Sequence, residues 1–120
     1  FSVICSCLYN EIPSFHYMIA LTGKKNIKVA KYALFGSKKL SNNILNAIKG
    51  SNSCLISNHG QISLGSNLSE AYELANEVEQ LCEYYYYCKL QKNPKILNNK
   101  EMESVLSKIK SYKSKSGALR

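Results

Sequence analysis

Arginine is almost missing from this chain: one residue, Arg120, stands against fifteen lysines, eight glutamates and no aspartate. The resulting net charge of +8 would suit a polyanion, but bidentate reading of phosphates and guanine edges is arginine chemistry. Lysine is abundant here together with Asn, Ile, Tyr and Ser, so the charge reads as a solvated lysine surface, and nucleic acid is not expected as a partner. Such a surface would still steer a phosphate-bearing substrate. No apolar run approaches the roughly 20 residues that cross a bilayer, and no membrane segment is expected. The opening FSVICSCLY has neither the basic leader nor the small-residue cleavage site of a signal peptide. It reads as a buried helix or strand, and the chain is expected to begin inside that element.

Cysteine is present but not in a pattern that makes bridges. The five residues, Cys5, Cys7, Cys54, Cys82 and Cys88, are odd in number and include no C-x-x-C pair. That argues against a disulfide framework and a structural zinc cluster. Cys5 and Cys7 read as small buried residues, and the compartment expected is a reducing cytoplasm. A Gly-rich phosphate loop, a Gly-x-Ser-x-Gly elbow and a His-Glu-x-x-His helix are all missing.

What remains is one domain's worth of alternating elements. Ile12-Pro13 closes the first apolar segment. Ser14 to Leu21 reads as a strand or sheet edge, and Thr22 to Asn26 as a polar turn. Ile27 to Ala33 reads as a second strand with Ile27, Val29 and Lys31 on one face. Gly36 to Lys39 connects to a helix with Ser41 as N-cap, a stripe of Ile44, Leu45 and Ile48, and Gly50 as a left-handed C-cap. Cys54 to Ile56 and Gln61 to Leu64 read as short strands flanking Asn58-His59-Gly60.

The clearest periodicity predicts a helix over Leu68 to Leu90. Asn67 and Glu70 form a capping-box pattern, and Leu68, Ala71, Leu74, Ala75, Val78, Leu81, Cys82 and Tyr85 recur at helical spacing. Its glutamates lie early and Lys89 late, as the helix dipole favours. On this helix Tyr84 to Tyr87 would point all around the axis, serving core packing and an oligomer contact. After Asn93-Pro94, Lys100 to Lys110 predicts an amphipathic helix with Met102, Val105, Leu106 and Ile109 inward. Ser111 to Arg120 reads as a mobile Lys/Ser-rich tail.

Two histidines carry the available chemistry. His59 lies in a turn where Gly60 permits φ > 0 and close approach, a setting that can aim an imidazole at a metal. His16, between Phe15 and Tyr17, reads as a satisfied core or edge histidine. One imidazole cannot hold a catalytic zinc, which needs about three protein ligands.

In order and spacing, the segments Ile12-Pro13-x-x-His16-Tyr17-Met18-Ile19, Tyr32-Ala33-x-Phe35-Gly36, Leu40-Ser41, Asn58-His59-Gly60, Leu74-Ala75-x-Glu77-Val78-Glu79 and Lys110-Ser111-Tyr112 resemble the class II aldolase and adducin family, most closely its fuculose-phosphate aldolase branch. The resemblance runs from Ser2 to Tyr112. It implies an α/β fold, a three-layer α/β/α sandwich on a mostly antiparallel sheet. Residues 1–112 would form the C-terminal part of one such domain, and residues 113–120 the tail.

The resemblance further implies a homotetramer with active sites between subunits and a phosphorylated sugar substrate. Its zinc would take His59 as one ligand and a His-x-His pair expected before Phe1 as the others, with a Glu expected further upstream as acid/base. Tyr17 would act as a proton donor in a neighbouring subunit's site, Phe35 would line the aldehyde pocket, and Tyr112 would lie near the site. His16 inherits no catalytic role.

The implied reaction is cleavage of a ketose phosphate to dihydroxyacetone phosphate and an aldehyde, with zinc as Lewis acid. The 120 residues alone are expected to be inactive. Sugar-acid phosphate decarboxylases, pentose-phosphate 4-epimerases and methylthioribulose-phosphate dehydratases share the fold and the zinc histidines, whereas Tyr17 and the Phe35-Gly36 pair favour the aldolase or decarboxylase branch. A non-catalytic, adducin-like binding domain is the reading from another class, and retention of His59 argues against it.

Overall fold

The computed structural model describes residues 1–117. Helix α1 (Ser2–Leu8) leads into the two-residue strand β1 (Glu11–Ile12), a 3₁₀ helix (Tyr17–Thr22) and strand β2 (Ile27–Ala30). Helix α2 (Lys38–Ile48), strands β3 (Ser53–Ile56) and β4 (Gly60–Ser63), and helices α3 (Leu68–Gln91) and α4 (Asn99–Gly117) complete the order. The sheet runs β1-β2-β3-β4. β1 pairs antiparallel with β2, β2 parallel with β3, and β3 antiparallel with β4, so the sheet is mostly antiparallel.

Strand alternation divides the interior into two layers. Ile27, Val29 and Leu55 face one way and join Cys5 of α1, Val78, Leu81, Cys82 and Tyr85 of α3, and Met102 of α4. Ala30 and Cys54 are buried in the opposite phase, where α2 packs on β2 and β3 through Leu40 and Ile48. This is the α/β/α arrangement with α2 alone on its side. The expected stripe on α2 holds at Ile44 and Ile48, but Leu45 points to solvent. The inward role falls instead to Leu40, because the helix starts earlier than expected. Its N-cap is Ser37, whose Oγ accepts from the Leu40 amide at 3.1 Å. Gly50 takes the expected left-handed conformation, φ +72°.

The segment expected as a strand over Ser14 to Leu21 is a turn and a 3₁₀ helix. The His16 Nδ1 accepts from the Met18 amide at 3.3 Å, capping that helix. Ser14 pairs away from the sheet: its carbonyl accepts from Leu97 N at 2.9 Å, and its hydroxyl donates to Leu97 O at 2.8 Å. These local and long-range partners outweigh the β-propensity of Phe15 and Tyr17.

Helix α3 begins at the expected Asn67 cap, with Glu70 N donating to Asn67 Oδ1 at 3.0 Å. Leu68 is the exception to its inward stripe and lies exposed in the first turn. Helix α4 has an unforeseen reciprocal cap: Glu101 N donates to Asn98 Oδ1 at 2.9 Å and Asn98 N to Glu101 Oε2 at 2.7 Å. It keeps Met102, Val105, Leu106 and Ile109 inward as expected, and runs to Gly117, past the expected end at Lys110. Of the segment read as a tail, residues up to 117 continue this helix and 118–120 lie outside the described residues. No described helix is long and apolar enough to cross a membrane.

Candidate functional site

Because β2 and β3 run parallel, their C-terminal ends open on the same side of the sheet, where ligands of α/β folds commonly bind. β3 passes there into the Asn58-His59-Gly60 turn, and β2 passes into the loop carrying Tyr32, Leu34 and Phe35. The turn is tightly pinned. His59 N donates to Ile56 O at 2.9 Å, and Ser57 N donates to Ala30 O at 3.0 Å, tying it to β2. Asn58 sits at φ +60°, a left-handed conformation that Asn tolerates better than most residues. Its Oδ1 accepts from Ser57 Oγ at 2.9 Å, and its Nδ2 donates to Cys7 Sγ at 3.6 Å, tying the turn to α1. Gly60 is buried at φ +145°, and a Cβ placed there would lie 3.5 Å from Val3 Cγ2. The sequence therefore fixes the backbone on both sides of His59 while leaving its side chain exposed.

The Tyr32 ring lies against the His59 imidazole at a centroid distance of 5.8 Å. Just before it, Asn43 Nδ2 of α2 donates to Lys31 O at 3.0 Å, holding the start of the loop. Phe35 projects from this loop and is 79% exposed. The structure thus brings His59, Tyr32 and the Phe35 loop to one end of the sheet. Tyr17 has different neighbours: its ring stacks on His16 at 5.0 Å, and His16 in turn lies 6.2 Å from Tyr84 of α3. Tyr112 is exposed on α4, with Lys108 Nζ 5.8 Å from its ring centroid.

The perturbed thiols lie in the interior. Burial pushes the Cys54 thiol up to about 11. Cys5 and Cys82 share a buried contact, with Cys5 Sγ 3.4 Å from the Cys82 carbonyl oxygen, and the hydrogen bond with Cys5 plus burial raises Cys82 far above an ordinary thiol. Cys54 and Cys82 are therefore chemically quiet, and Cys5, which its hydrogen bond with Cys82 holds below the ordinary thiol value, is fully buried. Cys7 was expected to be buried but is exposed, because two residues along a helix from Cys5 is a turn of about 200°.

Among the described residues no group of three His, Cys, Asp or Glu is placed to hold a metal ion. His59 can serve as one ligand but is not by itself a site, so the residues present do not fit a zinc ion on their own. A neighbour of His59 and one of Asn58 escaped the sequence reading. Tyr32 stood in a recognised segment but carried no role, and helix periodicity already placed Cys7 opposite Cys5.

Residues 1–86 match the family described as "Class II Aldolase and Adducin N-terminal domain". The chain is 45% identical over 112 residues to a 5-methylthioribulose-1-phosphate/5-deoxyribulose-1-phosphate aldolase of Rhodospirillum rubrum, covering 93% of this chain and 51% of that protein. It is 39% identical over 108 residues to the L-fuculose phosphate aldolase of Escherichia coli K12, covering 89% of this chain and 50% of that protein. A solved L-fuculose 1-phosphate aldolase superposes with a TM-score of 0.86 at 35% identity, over 91% of this chain and 51% of that one. YgbL from Escherichia coli, at 20% identity and a TM-score of 0.72, shares the fold. The chain spans about half the length of the curated relatives it matches.

Proposed function

The chain belongs to the class II aldolase and adducin family, and we propose that it serves the retro-aldol cleavage of a ketose 1-phosphate with a deoxygenated, apolar far end. The observation that carries this reading is the joining of the exposed Phe35 loop to the His59 turn through Tyr32. An apolar substrate end would meet Phe35 while the polar carbons face the turn. Both named activities among the relatives act on such sugar phosphates: 5-deoxyribulose and methylthioribulose end in apolar groups, and fuculose is a 6-deoxy sugar.

In the reaction, the hydroxyl proton on the carbon that becomes the aldehyde leaves, and the adjacent carbon–carbon bond breaks. Its electron pair passes to the carbon beside the ketone, which is then protonated to give dihydroxyacetone phosphate. A phenol suits the proton at the aldehyde oxygen, and Tyr17 is our candidate. Its 53% exposure and its distinct neighbours support use by a neighbouring copy in a homotetramer with shared sites. We place Phe35 and Tyr112 as substrate-facing residues on their exposure.

Zinc is the cofactor we propose for the complete domain, with His59 as one ligand. The other ligands must come from outside this chain, and no step above is routed through the metal. For the same reason the 120 residues alone are expected to be inactive. Five unpaired thiols support a reducing, cytoplasmic setting.

The test is a coupled assay of dihydroxyacetone phosphate release by the full-length gene product from 5-deoxyribulose 1-phosphate and from fuculose 1-phosphate, before and after chelation. Chelator-sensitive release from either sugar is expected. A folded, full-length protein that releases none would turn the reading to an adducin-like binding domain.

A further inference from the structure

Tyr17 is the one exposed residue in a segment otherwise turned inward. From Ser14 to Ala20 every other residue is buried or half-buried. Ile19 is fully buried, and Phe15 packs on Tyr85 of α3 at a centroid distance of 5.2 Å. Ser14 is bonded both ways to Leu97, and the 3₁₀ helix packs on α3 and α4. The backbone at Tyr17 is therefore fixed from both sides, while its side chain reaches out of the packed layer. An exposed side chain ordinarily changes rotamer freely, whereas a phenol that serves a reacting atom has to be held in place.

His16 supplies the hold. Its ring stacks on that of Tyr17, with centroids 5.0 Å apart and planes inclined by only 27°. The imidazole is itself constrained. Its Nδ1 accepts from the Met18 amide at 3.3 Å, and its ring lies 6.2 Å from that of Tyr84 on α3. Acceptance at Nδ1 places the proton of the neutral ring on Nε2. Ser, Thr, Asp or Asn is the usual residue at such a cap and would close the same bond without offering a ring. Histidine at this position does both.

We propose that His16 is the positioning residue for Tyr17: its ring, locked by the Met18 amide and by Tyr84, holds the phenol in one orientation for proton delivery. His16 acts through Tyr17 and exchanges no proton with the substrate. The inference rests on the reading of Tyr17 as the proton donor at the aldehyde oxygen, but the spectroscopic half of its test does not need that reading.

The experiment uses the full-length protein carrying ring-labelled tyrosine, with the Tyr17 NMR signals assigned by their loss in Tyr17→Phe. His16→Asn keeps a cap acceptor and removes the ring. Its circular dichroism should match the wild type, and its Tyr17 signals should lose the displacement caused by the imidazole. With 5-deoxyribulose 1-phosphate its kcat should fall by about three- to tenfold at unchanged KM, the range one aromatic stack supplies. In the Tyr17→Phe background the same substitution should cost nothing further, because a positioning residue works only through the group it positions. His16→Phe keeps a ring and gives up the acceptor, so it should retain most of kcat while lowering the melting temperature.

Unchanged Tyr17 signals in His16→Asn would overturn the proposal. So would an equal kcat loss in the Tyr17→Phe background, or a His16→Phe variant as slow as His16→Asn. If Tyr17→Phe turns over as fast as the wild type, the proton-donor reading fails instead, and the Tyr17 signals alone decide whether His16 holds the ring.

Discussion

Tyr32 lays its ring against the imidazole of His59, with planes inclined at 58° and centroids 5.8 Å apart. The parallel pairing of β2 and β3 makes the contact, since Ala30 lies opposite Ile56 and both chains leave the sheet at the same end. Such a pair contributes about 0.5–1.5 kcal/mol and restricts the imidazole to fewer orientations.

Tyr32→Ala should therefore leave the fold intact, because Tyr32 is mostly exposed, and release the His59 ring. In proton NMR the His59 ring resonances should lose the ring-current displacement caused by Tyr32, whereas Tyr32→Phe should keep it. Unchanged His59 resonances in the alanine variant would show that the contact does not order the imidazole.

Asn58 holds φ +60° and bonds to both Ser57 and Cys7. Asn58→Ala should cost about 1–2 kcal/mol, since alanine pays the full left-handed penalty and loses both side-chain bonds. Asn58→Gly should cost less, because glycine accepts that conformation freely. Urea unfolding of the two variants checks the order, and equal stabilities would contradict the account of the turn.

The long elements were legible in the sequence because local signals and tertiary packing agree in them. The α3 stripe from Val78 to Tyr85, the Asn67 cap and the strands around His59 all stand where spacing put them. The segment around Tyr17 was not legible, because its partners are remote. Ser14 bonds to Leu97, and no pattern within residues 14–21 announces that. The early start of α2 turned on a choice between two serines, Ser37 and Ser41, that only the packing of Leu40 decides. At the site, the exposure of His59 followed from its turn, but its contact with Tyr32 depends on the parallel β2–β3 register, which one chain's sequence does not display.

The cysteines should react in two groups. Cys7 is exposed and Cys88 half-buried, whereas Cys5, Cys54 and Cys82 are buried. With an excess of Ellman's reagent at pH 8, Cys7 should react first and Cys88 more slowly. The other three should react only on unfolding, with burial holding Cys54 protonated. Rapid modification of all five thiols in the folded protein would contradict the packing of α1 on α3.

Glu79 reaches from α3 to the start of α1, accepting from Ser2 N at 2.9 Å. Burial raises its carboxyl, but the hydrogen bonds it accepts at the start of α1, those from Ser2 among them, outweigh this and hold it below the ordinary carboxylate value. The folded protein therefore binds that proton less readily than the unfolded chain. Glu79 contributes its full stability above the unfolded value of about 4.3, and loses it as pH falls through the lower folded value. Glu79→Gln should reduce stability at pH 7 and flatten this acid-side loss, as read from unfolding midpoints between pH 2 and pH 7 in the two proteins (a range set by about two units either side of the carboxylate value). Parallel pH profiles would contradict the assignment.

The most direct test of the central claim is to replace His59 by Ala in the full-length protein and measure release of dihydroxyacetone phosphate from 5-deoxyribulose 1-phosphate, with circular dichroism confirming the fold. Loss of at least about a hundredfold in turnover with an unchanged spectrum is predicted, since a ligand or orienting group at the reacting centre is worth about 2.7 kcal/mol or more. Turnover within a few fold of the wild type would contradict the claim that the Asn58-His59-Gly60 turn is part of the active site.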